Sequence, residues 1–187
     1  MSNELESMFS NEVARDDGSV NAPATPQLSD LVLGIDHLAL AVPDLGAATA
    51  WIRDVLGFSL VEKRETHGKT SGMKSAVLRI GSVTIVLTEG IGESSQTSQF
   101  VREFGAGVQH VAFRVSDLTQ AAAMMRAQGL TFSSPQLDSD QLSQIFSLRN
   151  EATGLMVELI ERQGGFEGFR DENVQRLFDS LESRNLF

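Results

Sequence analysis

The chain has no cysteine and no tyrosine. Without cysteine, disulfides and thiolate chemistry are excluded, and any bound metal must rest on nitrogen and oxygen ligands. A cytoplasmic setting is the default expectation for such a composition. Long apolar runs are missing too: no stretch approaches the roughly 18–20 residues that span a bilayer, so no membrane partner is expected. The first thirty residues carry Glu4, Glu6, Glu12, Asp16 and Asp17 without an apolar run, so they are not expected to act as a secretory signal. Positive charge is scarce, with 15 Lys and Arg against 25 Asp and Glu for a net charge of −10. Such a surface repels phosphate backbones, and no nucleic-acid partner is expected. A length of 187 residues, 41% of them hydrophobic, suits one well-buried domain better than two.

Residues 1–30 are polar, lack a sustained period and hold two of the four prolines, so they read as a flexible tail. From Leu31 the pattern changes to an internal repeat. Gly34-Ile35-Asp36-His37-Leu38-Ala39-Leu40-Ala41-Val42-Pro43-Asp44-Leu45 matches Gly107-Val108-Gln109-His110-Val111-Ala112-Phe113-Arg114-Val115-Ser116-Asp117-Leu118, and His110 follows His37 by 73 positions. Each copy continues into an alanine-rich helical stretch, Gly46–Val55 closed by Gly57 and Thr119–Gln128 closed by Gly129. The Asp-Leu pairs supply N-caps and the glycines suit the left-handed position after a helix. Strand-like runs follow: Phe58–Arg64, Ser75–Ile80 and Val83–Leu87 in the first copy, Thr131–Ser133, Ser143–Leu148 and Leu155–Ile160 in the second. The expected class is α+β, with two tandem βαβββ modules (33–90 and 106–162) forming an open barrel-like metal cleft. Residues 31–187 would form a single domain, closed by a C-terminal helical segment over 166–187. Within it, Glu172–Ser183 has Val174, Leu177, Phe178 and Leu181 at helical spacing, one apolar face to pack on the domain.

His37 and His110 occupy the same place in two equivalent strands. If the two sheets face each other, both imidazoles point into the shared cleft, with Ala39 and Ala112 two residues on leaving room beside them. Glu158 lies in Gly154-Leu155-Met156-Val157-Glu158-Leu159-Ile160, an otherwise apolar strand. A carboxylate buried there is costly unless it is paired or ligates a metal. One strand histidine is more often a satisfied core residue. Two in register across a repeat, with an isolated carboxylate, favour a metal site. The counterpart of Glu158 in module one falls at about Ile85 or Val86, neither of which ligates a metal. The protein would then supply three ligands and leave up to three positions open. His67 has no repeat partner and reads as a solvated loop histidine.

The duplicated module with this ligand set resembles the vicinal oxygen chelate superfamily. Its local words are similar to the catalytic domain of the 4-hydroxyphenylpyruvate dioxygenase and hydroxymandelate synthase family. They are Gly72-Met73-Lys74-Ser75-Ala76-Val77-Leu78, Gly105-Ala106-Gly107-Val108-Gln109-His110, Gln144-Ile145-Phe146, Val157-Glu158-Leu159-Ile160-Glu161-Arg162 and Gly168-Phe169. The resemblance covers about 33–187. It implies Fe(II) on His37, His110 and Glu158, with Ser75, Gln96 and Gln144 as polar substrate contacts and Gln109 as a neighbour of the site. Phe146 and Phe169 would stack on a substrate ring, the latter brought over the cleft by the C-terminal segment. Departures are also present. Met156 and Val174 stand where phenylalanines are expected and Thr88 where asparagine is, and a tail is expected in place of the family's preceding non-catalytic domain. An altered pocket is expected.

The implied reaction is oxidative decarboxylation of a 2-oxo acid by O2, coupled to hydroxylation of the same molecule. Neutral glutamine and serine donors suit it, since it asks the protein for orientation, Lewis acidity and a dry cavity. Extradiol cleavage of a catechol would draw on a second-shell histidine and a tyrosine, and the chain has no tyrosine. A glyoxalase-type isomerase would want a fourth ligand where Ile85 and Val86 stand. A non-catalytic binding or resistance protein on this scaffold would not need the triad. A homodimer is in keeping with many proteins on the scaffold and stays open.

Overall fold

The computed structural model describes residues 27–169 and 171–176. In chain order its elements are α1 (Leu28–Leu31), β1 (Val32–Ala41), α2 (Leu45–Leu56), β2 (Ser59–His67), β3 (Gly72–Ile80), β4 (Val83–Ile91), α3 (Gln96–Phe104), β5 (Gly107–Val115), α4 (Leu118–Ala127), β6 (Leu137–Ser139), β7 (Leu142–Phe146) and β8 (Met156–Arg162). Residues 171–176 are helical as well. The class is α+β, as expected from the repeat.

All eight strands form one sheet in the order β2-β3-β4-β1-β5-β8-β7-β6. Its two halves mirror each other across an antiparallel β1–β5 seam, and each seam strand pairs in parallel with the last strand of its own module, β4 or β8. The sheet is curled into a half barrel, because side chains from β3 on one wing and β7 on the other line one cavity.

Period-two alternation along the strands decides what reaches that cavity. On β3, Ala76 and Leu78 turn outward beneath α2, where they pack with Leu45, Ile52, Phe58 and Leu87. Ser75 and Val77 turn inward to the cleft. On β8, Leu159 packs outward with Leu118, Ala121 and Ala122 of α4, while Met156 and Glu158 face the cleft. The apolar faces of the two helices thus hold the convex side of the sheet and leave the concave side free.

The helices start as the sequence predicts. Asp44 Oδ1 accepts from Ala47 N and Asp117 Oδ1 from Gln120 N, both at 2.8 Å. Gly57 closes α2 at φ 76°, a left-handed conformation that glycine adopts without strain. A second cap had escaped the sequence reading: Leu45 N donates to Glu89 at 2.6 Å, and Leu118 N to Glu161 at 2.8 Å. Each module therefore ties its helix to its own last strand through an equivalent glutamate.

Several boundaries differ from expectation. The tail was expected to run to residue 30, but α1 begins at Leu28 and buries Leu31 against α4; residues 1–26 lie outside the described part. The strand expected at Thr131–Ser133 is only an isolated Phe132–Ser147 bridge, and the third strand of that wing is the short β6. Pro135 has no N–H for a ladder, and Ser133 and Ser134 bond to the edge of β7 at Phe146 instead. Strands β2, β3 and β4 extend beyond the sequence estimates, so His67 ends a strand, exposed and 2.8 Å from Glu65. Helix α3 was not anticipated. Its first turn lies so close to β4 that a Cβ on Gly90 would sit 2.2 Å from Ser98 Oγ, so only glycine fits there. Of the C-terminal apolar face, Val174 is half-buried over the cleft, while Leu177, Phe178 and Leu181 lie outside the described residues.

Candidate functional site

The β1–β5 seam and the β5–β8 pairing bring three ligand-type side chains together. Ala112, two residues past His110, pairs with Glu158. His37 Nε2 and His110 Nε2 lie 3.2 and 3.3 Å from the same oxygen, Glu158 Oε2. One ligand atom from each residue falls within 4.8 Å of the others. His37 and Glu158 are buried at 2% and 1% exposure, and His110 is half-buried.

The far nitrogens of both rings are held. Asp36 Oδ1 is 2.9 Å from His37 Nδ1, and Gln109 Oε1 is 3.3 Å from His110 Nδ1. With Nδ1 the donor in each case, both Nε2 lone pairs point at the carboxylate, the arrangement a metal-ligating histidine needs. Glu158 Oε1 is buried with no hydrogen-bond partner among the described residues. Leaving a buried carboxylate oxygen unmatched costs about 1–3 kcal/mol, more when it is charged. All donors are nitrogen or oxygen, so these three residues fit a divalent cation.

Without a cation, a proton fills the electrostatic role. Burial disfavours the charged form of His37, but Glu158 and Asp36 outweigh it and raise the imidazole pKa to about 9. Burial likewise pushes Glu158 up, yet the two histidines bring it down to about 2. His110 is lowered, by burial first and then by repulsion from His37. Burial would raise Asp36, but hydrogen bonds from Arg162 and His37 hold it well below the usual carboxylate range.

Asp36 had no assigned role in the sequence reading. It accepts from Arg162 Nε at 2.7 Å, Arg162 Nη2 at 2.8 Å and Arg114 Nε at 2.9 Å, besides its contact with His37. A bulge in the β1–β5 register between Ile35 and His37 lets the adjacent Asp36 and His37 side chains both turn inward. The one readable signal was an aspartate next to a ligand histidine in an otherwise apolar strand.

A cavity of about 110 Å³ opens over the triad. Ser75, Gln96, Gln109, Gln144, Phe146 and Phe169 all line it, so every residue singled out from the sequence reaches one space. Phe146 meets the His110 ring edge-on at 5.4 Å, and Phe169 meets His37 at 5.1 Å. Gln96, carried by α3, has a buried Nε2 without a partner among the described residues. Met156, Thr88 and Val174, the three departures, also line the wall. Among the described residues its remaining charged groups, Glu62 and Arg64, are paired with each other.

The register also settles the fourth position. Ala39 lies two residues past His37 and pairs with Val86, just as Ala112 pairs with Glu158. The equivalent capping glutamates agree: Glu89 follows Val86 by three positions, and Glu161 follows Glu158 by three. Val86, rather than Ile85, is the counterpart of Glu158, and it faces the cavity.

Among the described residues, no helix is long and apolar enough to cross a membrane. The chain is 24% identical over 184 residues to 4-hydroxyphenylpyruvate dioxygenase of Pseudomonas aeruginosa, covering 79% of this chain and 51% of that protein. Its fold is similar to that of a triple mutant of 4-hydroxymandelate synthase from Streptomyces coelicolor, with a TM-score of 0.72 at 21% identity over 83% of this chain and 55% of that one. It is also similar to methylmalonyl-CoA epimerase from Mycobacterium tuberculosis, with a TM-score of 0.61 at 32% identity over 71% of this chain and 89% of that one. The chain spans about half the length of the first curated relatives it matches. A sequence model of one family matches residues 36–146, more than half of the chain and inclusive of His37 and His110. The chain belongs to the glyoxalase/bleomycin resistance protein/dioxygenase superfamily.

Proposed function

We propose that the chain is an Fe(II)-dependent dioxygenase acting on a 2-oxo acid, with His37, His110 and Glu158 as the metal ligands. The observation that carries this reading is Val86. With valine at the counterpart of Glu158, the ligand set is two histidines and one carboxylate, the set of non-haem iron oxygenases, with positions left for substrate and O2. Iron(II) so held would supply Lewis acidity toward a chelating 2-oxo acid and electrons to O2.

The chain's own groups bind and orient. Ser75, Gln96, Gln109 and Gln144 present neutral polar atoms around the cleft, and the unpartnered Gln96 Nε2 suits an acceptor on the substrate. Phe146 and Phe169 flank the two histidines and exclude water from the reacting atoms. Met156, Val174 and Thr88 set the shape of the remaining wall, which suits a 2-oxo acid like 4-hydroxyphenylpyruvate or a variant of it.

The similarity to methylmalonyl-CoA epimerase favours a second reading, a metal-assisted isomerase or epimerase. That chemistry needs a free base beside the metal. Among the described residues, the one carboxylate in the cavity wall apart from Glu158 is Glu62, and it is paired with Arg64. The test is oxygen uptake and CO2 release by the Fe(II)-loaded protein across a panel of 2-oxo acids. Stoichiometric uptake and release with one of them supports the dioxygenase. Hydrogen–deuterium exchange into an acyl-CoA without oxygen uptake would replace it with the epimerase.

A further inference from the structure

The side chain of Arg162, the last residue of β8, is 4% exposed and meets three groups at once. Its Nε and Nη2 donate to the two oxygens of Asp36, and its Nη1 donates to Gly168 O at 2.6 Å. Its guanidinium carbon lies 5.2 Å from the centre of the Phe169 ring. That ring touches His37, and His37 Nδ1 touches Asp36. The contacts close a circuit from His37 through Asp36, Arg162 and Phe169 back to His37.

We propose that Arg162 is a positioning residue that couples the seating of Gly168 and Phe169 over the cleft to the orientation of His37, acting through Asp36. The inference rests on the reading of His37 as a metal ligand. A guanidinium fork binding both carboxylate oxygens fixes the plane of Asp36, and that plane fixes the direction in which His37 Nδ1–H points. The third arm of the same fork holds the segment that carries Phe169. A lysine would keep the charge but lose the fork, so it would hold one partner at a time. Coupling is reciprocal: if the seated segment orients His37, a cation on His37 must stabilise the seated segment. Other tethers hold the segment without passing through Asp36, notably Arg64 on Phe169 O at 3.0 Å and Arg79 on Glu167 O at 3.1 Å.

The test is hydrogen exchange of the full chain, read by mass spectrometry over residues 163–169, with and without Mn(II) as a redox-stable probe. In the wild type, Mn(II) should slow exchange there by about fivefold or more, within the usual range of coupling between sites. Arg162→Lys should still bind Mn(II), about tenfold more weakly as for loss of a ligand's outer partner, and should lose that slowing. Glu167→Ala removes the ion pair with Arg114 while leaving the Asp36–Arg162 fork in place. It should speed exchange in both states, keep the Mn(II)-dependent slowing, and leave affinity within about threefold, an outer partner's loss being tenfold or more. If circular dichroism shows Arg162→Lys unfolded, Asp36→Asn breaks the circuit at its other end and carries the same expectation. Full slowing in a folded Arg162→Lys protein, or loss of slowing in Glu167→Ala as well, overturns the coupling and leaves the metal reading intact. A wild-type protein that takes up neither Mn(II) nor Fe(II) overturns both.

Discussion

Metal uptake at the triad should release a proton, and His37 is the residue that must give it up. Its imidazolium sits between Glu158 and Asp36, which raise its pKa to about 9. At pH 7 only about one ring in a hundred is then in the neutral form that ligates a cation. Apparent affinity at pH 7 should therefore lie about 100-fold below its limiting value and climb about tenfold per pH unit toward pH 9. Glu158, brought down to about 2, is already ionised, and His110, lowered by burial, is already neutral, so neither adds a proton. Calorimetric titration with Mn(II) in two buffers of unlike ionisation heat counts the protons released, and about one per metal is expected at pH 7. The same proton stabilises the metal-free fold. A rise from the ordinary 6.5 to about 9 in a buried ring corresponds to about 3 kcal/mol, fully present below pH 6.5 and lost as pH rises through 9. Denaturation of metal-free protein across that window should show the loss, and metal-loaded protein should not. Affinity that is flat between pH 6.5 and 8.5, with no proton released, would refute this charge assignment.

Val86→Gln places a ligand opposite Glu158 and should tighten metal binding while suppressing oxygen uptake, since one open position is taken; undiminished uptake would show that Val86 does not face the metal. Gly90→Ala should destabilise by about 1–3 kcal/mol in thermal or urea melts, because its Cβ would overlap Ser98 Oγ and N of α3; an unchanged melt would mean that α3 does not rest on β4. Phe169→Ala should raise the substrate KM and leave Mn(II) affinity within about threefold, since the ring contacts His37 only at its edge and ligates nothing; a large fall in affinity would make Phe169 part of the metal support.

The mirrored halves and the triad were legible because the duplication repeats both the apolar alternation and its punctuation. Asp-Leu before a helix and histidine in register recur after 73 residues and the glycine after the helix after 72, and pairing Ala39 and Ala112 with their strands then follows from topology. Helix α3 lies outside that repeat. Its amphipathic stripe is short, with Thr97 and Phe100 its buried residues, and its position rests on a close approach to Gly90 that local pattern does not express. Strand β6 is three residues long and its place was misread, because Thr131-Phe132 has the composition of a strand and Pro135 lies just beyond it. The Asp36–Arg162 pair joins residues 126 positions apart on β1 and β8, which flank β5 in the sheet without pairing with each other. In the sequence Arg162 looks like an ordinary charged residue at a strand end, and Asp36 is marked only by its place beside His37.

The central claim is a three-ligand iron site, and the most direct test is anaerobic Fe(II) titration of the metal-free wild type beside Glu158→Gln. The wild type should bind one Fe(II) per chain and develop a visible charge-transfer band when the right 2-oxo acid chelates it. The variant keeps the shape of the side chain but loses the anionic ligand, so it should keep the fold by circular dichroism, bind Fe(II) at least about tenfold more weakly and show no band. Equal Fe(II) binding by the two proteins, or none by the wild type, would contradict the account.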